Sequence, residues 1–284
     1  MQKYRDDPEL MSVMSHASLE DLTILVDIIT DNGKGRISLD STVKETFLQA
    51  KEDQVFDLSC KQTIAAEIQK FGGNSLASIF RGGKGVLYKE IVRDVADHVG
   101  ANYSDQADVA QIEGAIMLKI VERSLDKMSE SEKSQFFNQF GVNYQSVGSA
   151  ANTVAMAALL AVIRTSGFAF YQMATIVAQA AARALLGRGL TFAATGGLMR
   201  GLSVLAGPVG WAITGIWSAF DLASPAYRIT VPCVIQLGYM RQQALIRECP
   251  SCHAPVATDA KFCSECGHKI SGEVLLPFRF SNSS

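Results

Sequence analysis

Between Ser134 and Met240 the chain carries only six charged side chains, Arg164, Arg183, Arg188, Arg200, Asp221 and Arg228. A stretch this long and this poor in charge has to withdraw most of its surface from water, into a protein core or into a bilayer. Residues 134–163 hold no charge, residues 165–182 add eighteen uncharged positions, and residues 201–220 add another twenty. A twenty-residue helix is about 30 Å long, which matches a bilayer core. The composition pulls the other way: these stretches are rich in Ala, Gly, Ser, Thr, Gln and Asn, so hydrophobicity alone does not compel insertion.

Small residues recur at four-residue spacing at Ala151 and Ala155, at Ala174, Ala178 and Ala182, at Gly197 and Gly201, and at Gly210, Thr214 and Ser218. Such faces let helix backbones approach closely, in membranes and in buried soluble hairpins alike. Two expectations therefore stand side by side. In one the region is the tight core of a soluble bundle. In the other it associates with or inserts into a membrane, with Arg164, Arg183, Arg188, Arg200, Trp211 and Trp217 at an anionic interface. Gly207-Pro208 is the clearest break within it.

The preceding residues differ in kind. Residues 1–133 hold 16 Lys and Arg against 23 Asp and Glu. The change near Lys133 divides the chain into an acidic helical domain, 1–133, and an apolar Gly/Ala-rich helical region, 134–247. Leu19, Leu22, Leu25, Val26 and Ile29 recur at helical spacing behind Ser18, an N-cap residue, and stop at Asp31-Asn32-Gly33. Similar stripes run through 56–71, 86–99 and 109–128, which predicts four or five short helices in a bundle. The fold class expected is all-α, with a small metal module at the C-terminal end.

That module is a cysteine quartet, Cys249-Pro-Ser-Cys252 and Cys263-Ser-Glu-Cys266. Each Cys-x-x-Cys supplies two thiolates from one tight turn, and residues 253–262 are long enough to bring the second turn opposite the first. The spacing predicts a zinc ribbon over 248–270, with Cys249, Cys252, Cys263 and Cys266 as ligands of one structural zinc ion, followed by a tail, 271–284. A disulfide pair and a redox motif are the competing explanations. A redox site would need one Cys-x-x-Cys on a βαβ scaffold. Four thiolates close the coordination sphere, so such a site holds structure and leaves no position for substrate.

Other constellations fall short. Residues 71–75 and 81–85 are glycine clusters, but Lys84 is followed by glycine, where a phosphate loop requires Ser or Thr; helix punctuation explains them. Asp31-Asn32-Gly33-Lys34-Gly35 lacks the twelfth-position acid of a calcium loop. Only His16, His98, His253 and His268 are present, the last two beside the cysteine turns, and no nucleophile elbow or His-Glu-x-x-His helix occurs. Cys60 and Cys233 stand singly in apolar surroundings, where a thiol is a small hydrophobe. With a net charge of -2, nothing suggests nucleic-acid binding, and no small-molecule substrate is identified. A charged N-terminus and reduced cysteines place the chain in the cytoplasm, at or in the inner membrane if the apolar region associates with it.

Several segments resemble a known family. Residues 4–10 (Tyr-Arg-Asp-Asp-Pro-Glu-Leu), 71–75 with 81–85 and Tyr88, 207–210 (Gly-Pro-Val-Gly) and 226–232 (Ala-Tyr-Arg-Ile-Thr-Val-Pro) are, in order and spacing, similar to the bacterial YaaW family over most of 4–245. That family is loosely grouped with ubiquinol-cytochrome c chaperone domains, helical proteins that assist assembly of membrane complexes. The resemblance implies no catalytic residues, and the ribbon is a departure from its shorter members. The leading expectation is a non-enzymatic, membrane-associating helical protein, inserting or permeabilising in its sharpest form, whose ribbon docks a protein partner or supports self-association. The alternatives are a soluble assembly chaperone or interaction factor, and an enzyme using carboxylates of the acidic domain.

Overall fold

The structure, a computed structural model, describes residues 4–36, 39–73, 85–144, 151–187, 209 and 226–270. Among the described residues the chain is all-α apart from one two-stranded sheet. The helices are α1 (Pro8–Ser15), α2 (Leu19–Thr30), α3 (Ser41–Glu52), α4 (Leu58–Gly73), α5 (Tyr88–Val99), α6 (Val109–Leu125), α7 (Glu130–Asn138), α8 (Ala151–Thr165), α9 (Gly167–Leu186) and α10 (Tyr227–Gln243). Strands β1 (Ile246–Glu248) and β2 (Pro255–Ala257) follow.

The helix starts are locally encoded. Ser18, Asp108 and Ser129 each close a capping box, with Asp21, Gln111 and Glu132 reaching back to the cap amide. Helix α2 ends on Asp31 in the left-handed region, and the Arg36 guanidinium donates to the Ile28 and Ile29 carbonyls at 3.0 and 3.2 Å. The turn at 31–35 is thus a helix stop. Asp7 serves two helices: one carboxylate oxygen accepts from Leu10 N at 3.2 Å in α1, and the other from Tyr88 N at 2.6 Å at the start of α5. Nearby, Gln69 of α4 exchanges two hydrogen bonds with the Arg5 backbone, at 3.0 and 2.8 Å. Segments 4–10, 69–73 and 85–88 therefore meet at one place.

The axis of the bundle comes from the charge-poor region. Fourteen of the 17 residues of α10 are buried, as are fourteen of the 20 residues of α9. Helix α10 packs against α9 most extensively and also against α1, α2, α4, α5 and α6. One continuous hydrophobic core runs from Leu10 and Leu25 through Ile116 to Val177 and Leu237. The change of composition near Lys133 is not a break in the fold: α7 runs across it, α8 beyond it buries only Ala155 and Leu159, and one core spans both sides. Pro232 removes one backbone donor inside α10, at a cost of about 3 kcal/mol in an isolated helix, and packing on every side keeps the helix formed.

Close approach is made by glycine. A Cβ on Gly238 of α10 would lie 2.7 Å from Met117 Cε and 3.3 Å from Glu113 Cβ of α6, and one on Gly114 of α6 would lie 2.9 Å from Phe170 Cζ of α9. The alanines at 174, 178 and 182 are all buried in α9. The described part of the small-residue pattern is therefore spent on helix packing within the chain. Gly197, Gly201, Gly210, Thr214, Ser218, Arg188, Arg200, Trp211, Trp217, the Gly207-Pro208 break and the tail 271–284 lie outside the described residues, as does the whole of segment 74–84.

Burial raises the Asp21 carboxyl above the usual carboxylate range, although Ser18 and Gln236 donate to it, at 2.6 and 3.1 Å from their side chains. A raised folded-state value favours the protonated form, so the carboxylate's unfavourable contribution is absent at acid pH and present at neutral pH. Asp21→Asn removes that charge. Because one amide oxygen cannot accept from both Ser18 and Gln236, the variant loses a hydrogen bond at every pH, but its stability relative to wild type is expected to be higher at pH 7 than at pH 4. Denaturant titrations at the two pH values check this.

Candidate metal centre

Helix α10 gives way to β1 after two residues, Ala244 and Leu245, and β1 pairs antiparallel with β2 in the register Ile246↔Ala257, Arg247↔Val256, Glu248↔Pro255. The first cysteine turn hangs between the strands: Cys249 N donates to Ala254 O at 2.8 Å and His253 N to Cys249 O at 2.9 Å. The second repeats it, with Cys263 N on His268 O at 2.8 Å, Gly267 N on Cys263 O at 3.0 Å, and a bridge from Phe262 to Lys269. In both turns the residue after the second cysteine is left-handed, His253 at φ 58° and Gly267 at φ 71°.

These turns bring the four Sγ atoms of Cys249, Cys252, Cys263 and Cys266 within 4.8 Å of one another. Cys249 and Cys266 lie 3.7 Å apart and Cys252 and Cys263 3.6 Å apart. A metal–sulfur bond of about 2.3 Å places tetrahedral sulfurs about 3.8 Å apart, whereas a disulfide would bring two of them to about 2.05 Å. The donor set therefore fits a thiophilic tetrahedral cation. Cys249 and Cys263 are buried with Val256 and Ile270 in a small separate core; Cys252 and Cys266 face outward. Burial pushes the Cys249 thiol up, but the Cys252 and Ser251 amides and the neighbouring thiols outweigh it and bring it down to about 6. The Ala254 amide favours a Cys252 thiolate, yet the crowding thiols and burial hold that group up at about 12. Four sulfurs this close resist joint ionisation until a cation compensates them.

Among the described residues nothing lies within 4 Å of a Cβ built on Gly267, so the cost of a side chain there is backbone strain. Gly267→Val is expected to weaken metal retention roughly 5- to 30-fold, the equivalent of about 1–2 kcal/mol, while His253→Gly keeps wild-type affinity. Competition against a chromophoric chelator reads both.

The remaining candidates separate cleanly. His253 and His268 are exposed and outside the thiol cluster; His253 sits 3.6 Å from Glu248. His98 stacks on Tyr227 with ring centres 3.7 Å apart. Cys60 and Cys233 are buried, and desolvation pushes their thiols up to about 11 and about 12, out of the nucleophilic range.

A second polar centre was not anticipated. Glu113 of α6, 2% exposed, receives Arg241 Nε at 2.8 Å, Arg241 Nη2 at 3.4 Å and the Tyr88 hydroxyl at 2.7 Å. Glu9 stands 3.6 Å from Arg241 Nη1. Burial raises the Glu113 carboxyl, with Arg241 and Tyr88 opposing, and drives the Tyr88 phenol well up. The sequence signal was an acid inside the apolar stripe Ile112–Ile116 and an arginine closing a buried helix. Every member has partners, so the cluster ties α1, α5, α6 and α10 together.

A family model described as a zinc-ribbon domain matches residues 249–270. A UPF0174 protein of Helicobacter pylori strain J99 is 36% identical over 239 residues, covering 84% of this chain and 92% of the relative. Another from Helicobacter pylori strain 26695 is 39% identical over 180 residues, 63% of this chain and 86% of its own length. The UPF0174 protein YaaW of Escherichia coli K12 is 29% identical over 84% of this chain and 95% of that protein. No solved structure matches the chain.

Proposed function

The chain belongs to the UPF0174 family, and from that premise we propose that it is a non-enzymatic helical scaffold that holds a zinc-loaded ribbon in a fixed place for docking a protein partner or a second copy of itself. Zinc is the assigned cation because the donors are four thiolates with no hard oxygen ligand. Such thiolates call for a reducing compartment, which we take to be the cytoplasm.

The observation that carries the proposal is the outward face of the ribbon. Its inward residues Cys249, Val256, Cys263 and Ile270 complete its core, whereas Phe262 is 60% exposed beside Lys261 and opposite Lys269. An aromatic that the module does not bury for its own stability is the kind of side chain that anchors interfaces. A non-catalytic role is supported by the buried acids Asp7, Asp21, Asp27 and Glu113, each held by structural partners. A photo-crosslinking residue at position 262 in cells tests the proposal. Discrete adducts that disappear in a Cys263→Ser background would support it; the same adducts with and without an intact ribbon would refute it.

Membrane association is the second proposal, favoured by one specific feature. No single described helix is long and apolar enough to cross a membrane, but α8 and α9, joined at Ser166 with a bend of 120°, pass by length and composition as a bent pair. In α8 only Ala155 and Leu159 are buried, while Val154 is 66% exposed. The burial of α9 inside the bundle weighs against insertion of the pair and leaves α8 as the membrane-facing element.

A further inference from the structure

We infer that metal loading of the ribbon is transmitted into the axis of the bundle, so that filling the four-thiol site stiffens the α9–α10 pair and emptying it releases the facing ends of both helices. This rests on the proposal that the ribbon binds zinc.

Two physical links carry the inference. The first is the connection of two residues between α10 and β1, whose backbone is already committed: Ala244 N donates to Met240 O at 3.1 Å, Leu245 N to Gln242 O at 3.1 Å, and Leu245 O accepts from Thr258 N at 2.9 Å. No residue is left over to act as a swivel. The second is lateral. Tyr171 near the start of α9 stacks on Tyr239 near the end of α10, with ring centres 6.3 Å apart, so the start of one helix lies beside the end of the other. The ribbon therefore leaves α10 beside the first turns of α9, and β2 packs against α9. Ile246 of β1 also packs on the main core.

The end of α10 is also held from the α6 side. Arg241 is held by Glu113 at 2.8 Å, and Gly238 seats that turn against Met117 and Glu113. A metal-held ribbon thus sits on one side of this turn and a buried ion pair on the other. The ribbon has too small a core to persist without its cation. When it unfolds, β2 leaves α9, and the amides of the flanking turns lose a cover that water then reaches. The site is joined without a flexible tether to a helix buried along most of its length.

Hydrogen exchange on the full chain tests the inference, comparing protein loaded with one equivalent of zinc against the same protein stripped with a chelator. Amides at 170–175 and 238–243 are expected to exchange about tenfold faster after stripping, whereas those of α3 and α7 keep their rates. A variant with Gly-Ser-Gly-Ser inserted between Ala244 and Leu245 should still take up one equivalent of zinc but show a much smaller response in α9 and α10. Unchanged rates at 170–175 and 238–243 while residues 248–270 gain protection with zinc would overturn the inference and leave the zinc assignment standing. A wild-type-sized response in the insertion variant would also overturn it. Failure to take up zinc at all would remove the zinc assignment and the inference with it.

Discussion

Arg241→Met is expected to destabilise the protein by about 3–5 kcal/mol, because it strands a carboxylate in the core without its partner. For a chain of this size that corresponds to a fall in Tm of roughly 10 °C or more. Glu113 is 2% exposed and Arg241 5% exposed, so solvent does not screen the loss. The Tyr88 hydroxyl still donates to Glu113 and relieves part of the penalty. Glu113→Gln combined with Arg241→Met removes the charge as well as its partner, and should recover most of the stability, as replaced buried ion pairs do elsewhere.

The pH dependence follows from the raised carboxyl. Below about pH 4.5, its ordinary value, Glu113 is protonated in folded and unfolded chains alike, so the single variant and wild type differ least. As pH rises through the folded-state value, which loss of Arg241 raises further, the variant has to keep a proton the unfolded chain gives up, and the gap widens. Denaturant unfolding from pH 4.5 to 8 reads this directly. A constant gap would mean that the arginine acts through packing alone.

Removing the metal is the second large effect. Structural zinc contributes about 10–16 kcal/mol of apparent binding energy in finger peptides at pH 7, far more than four buried side chains supply. Cys263→Ser is therefore expected to leave residues 248–270 without fixed structure and to drop zinc from one equivalent to near zero. The helical core from Leu10 to Met240 should remain folded, loosened only at the facing ends of α9 and α10, since its buried cluster is separate from the ribbon's. Zinc content by mass spectrometry and amide spectra of 248–270 check both halves. Stoichiometric zinc with an unchanged ribbon spectrum would contradict the four-thiolate assignment.

The legible parts of this fold were those where local and tertiary requirements agree. The stripe at Leu19–Ile29 with Ser18 ahead of it became α2 with a capping box, and the stripes over 56–71, 86–99 and 109–128 became α4, α5 and α6. The cysteine spacing likewise sufficed for the ribbon, because two turns of fixed geometry leave the sulfurs one arrangement. Helices α1 and α3 carried weaker signals. The first spans only eight residues beginning at Pro8, and the second buries just Val43, Phe47 and Ala50 on a polar background.

What periodicity could not convey was which helices lie inside. A helix buried on all sides has no stripe, and α10 also contains Pro232, a residue that marks breaks in exposed helices. The charge-poor composition held the answer in ambiguous form: scarcity of charge is the same for a membrane segment and for the axis of a bundle. The decisive information is non-local, in the contacts of α10 with six other helices and in the pairing of Glu113 with Arg241 across 128 residues. No single-residue pattern encodes those.

The measurement that bears most directly on this account is membrane partitioning of the full-length protein, by carbonate washing of cell membranes and flotation of the purified protein with anionic and zwitterionic liposomes. With α9 and α10 as the protein's own core, the chain is predicted to leave washed membranes and to stay at the bottom of the gradient without detergent, α8 adding at most weak, salt-sensitive binding to anionic vesicles. Retention after carbonate and flotation with both lipid types would contradict it, because the helices now placed at the axis of the bundle would then have to be facing lipid.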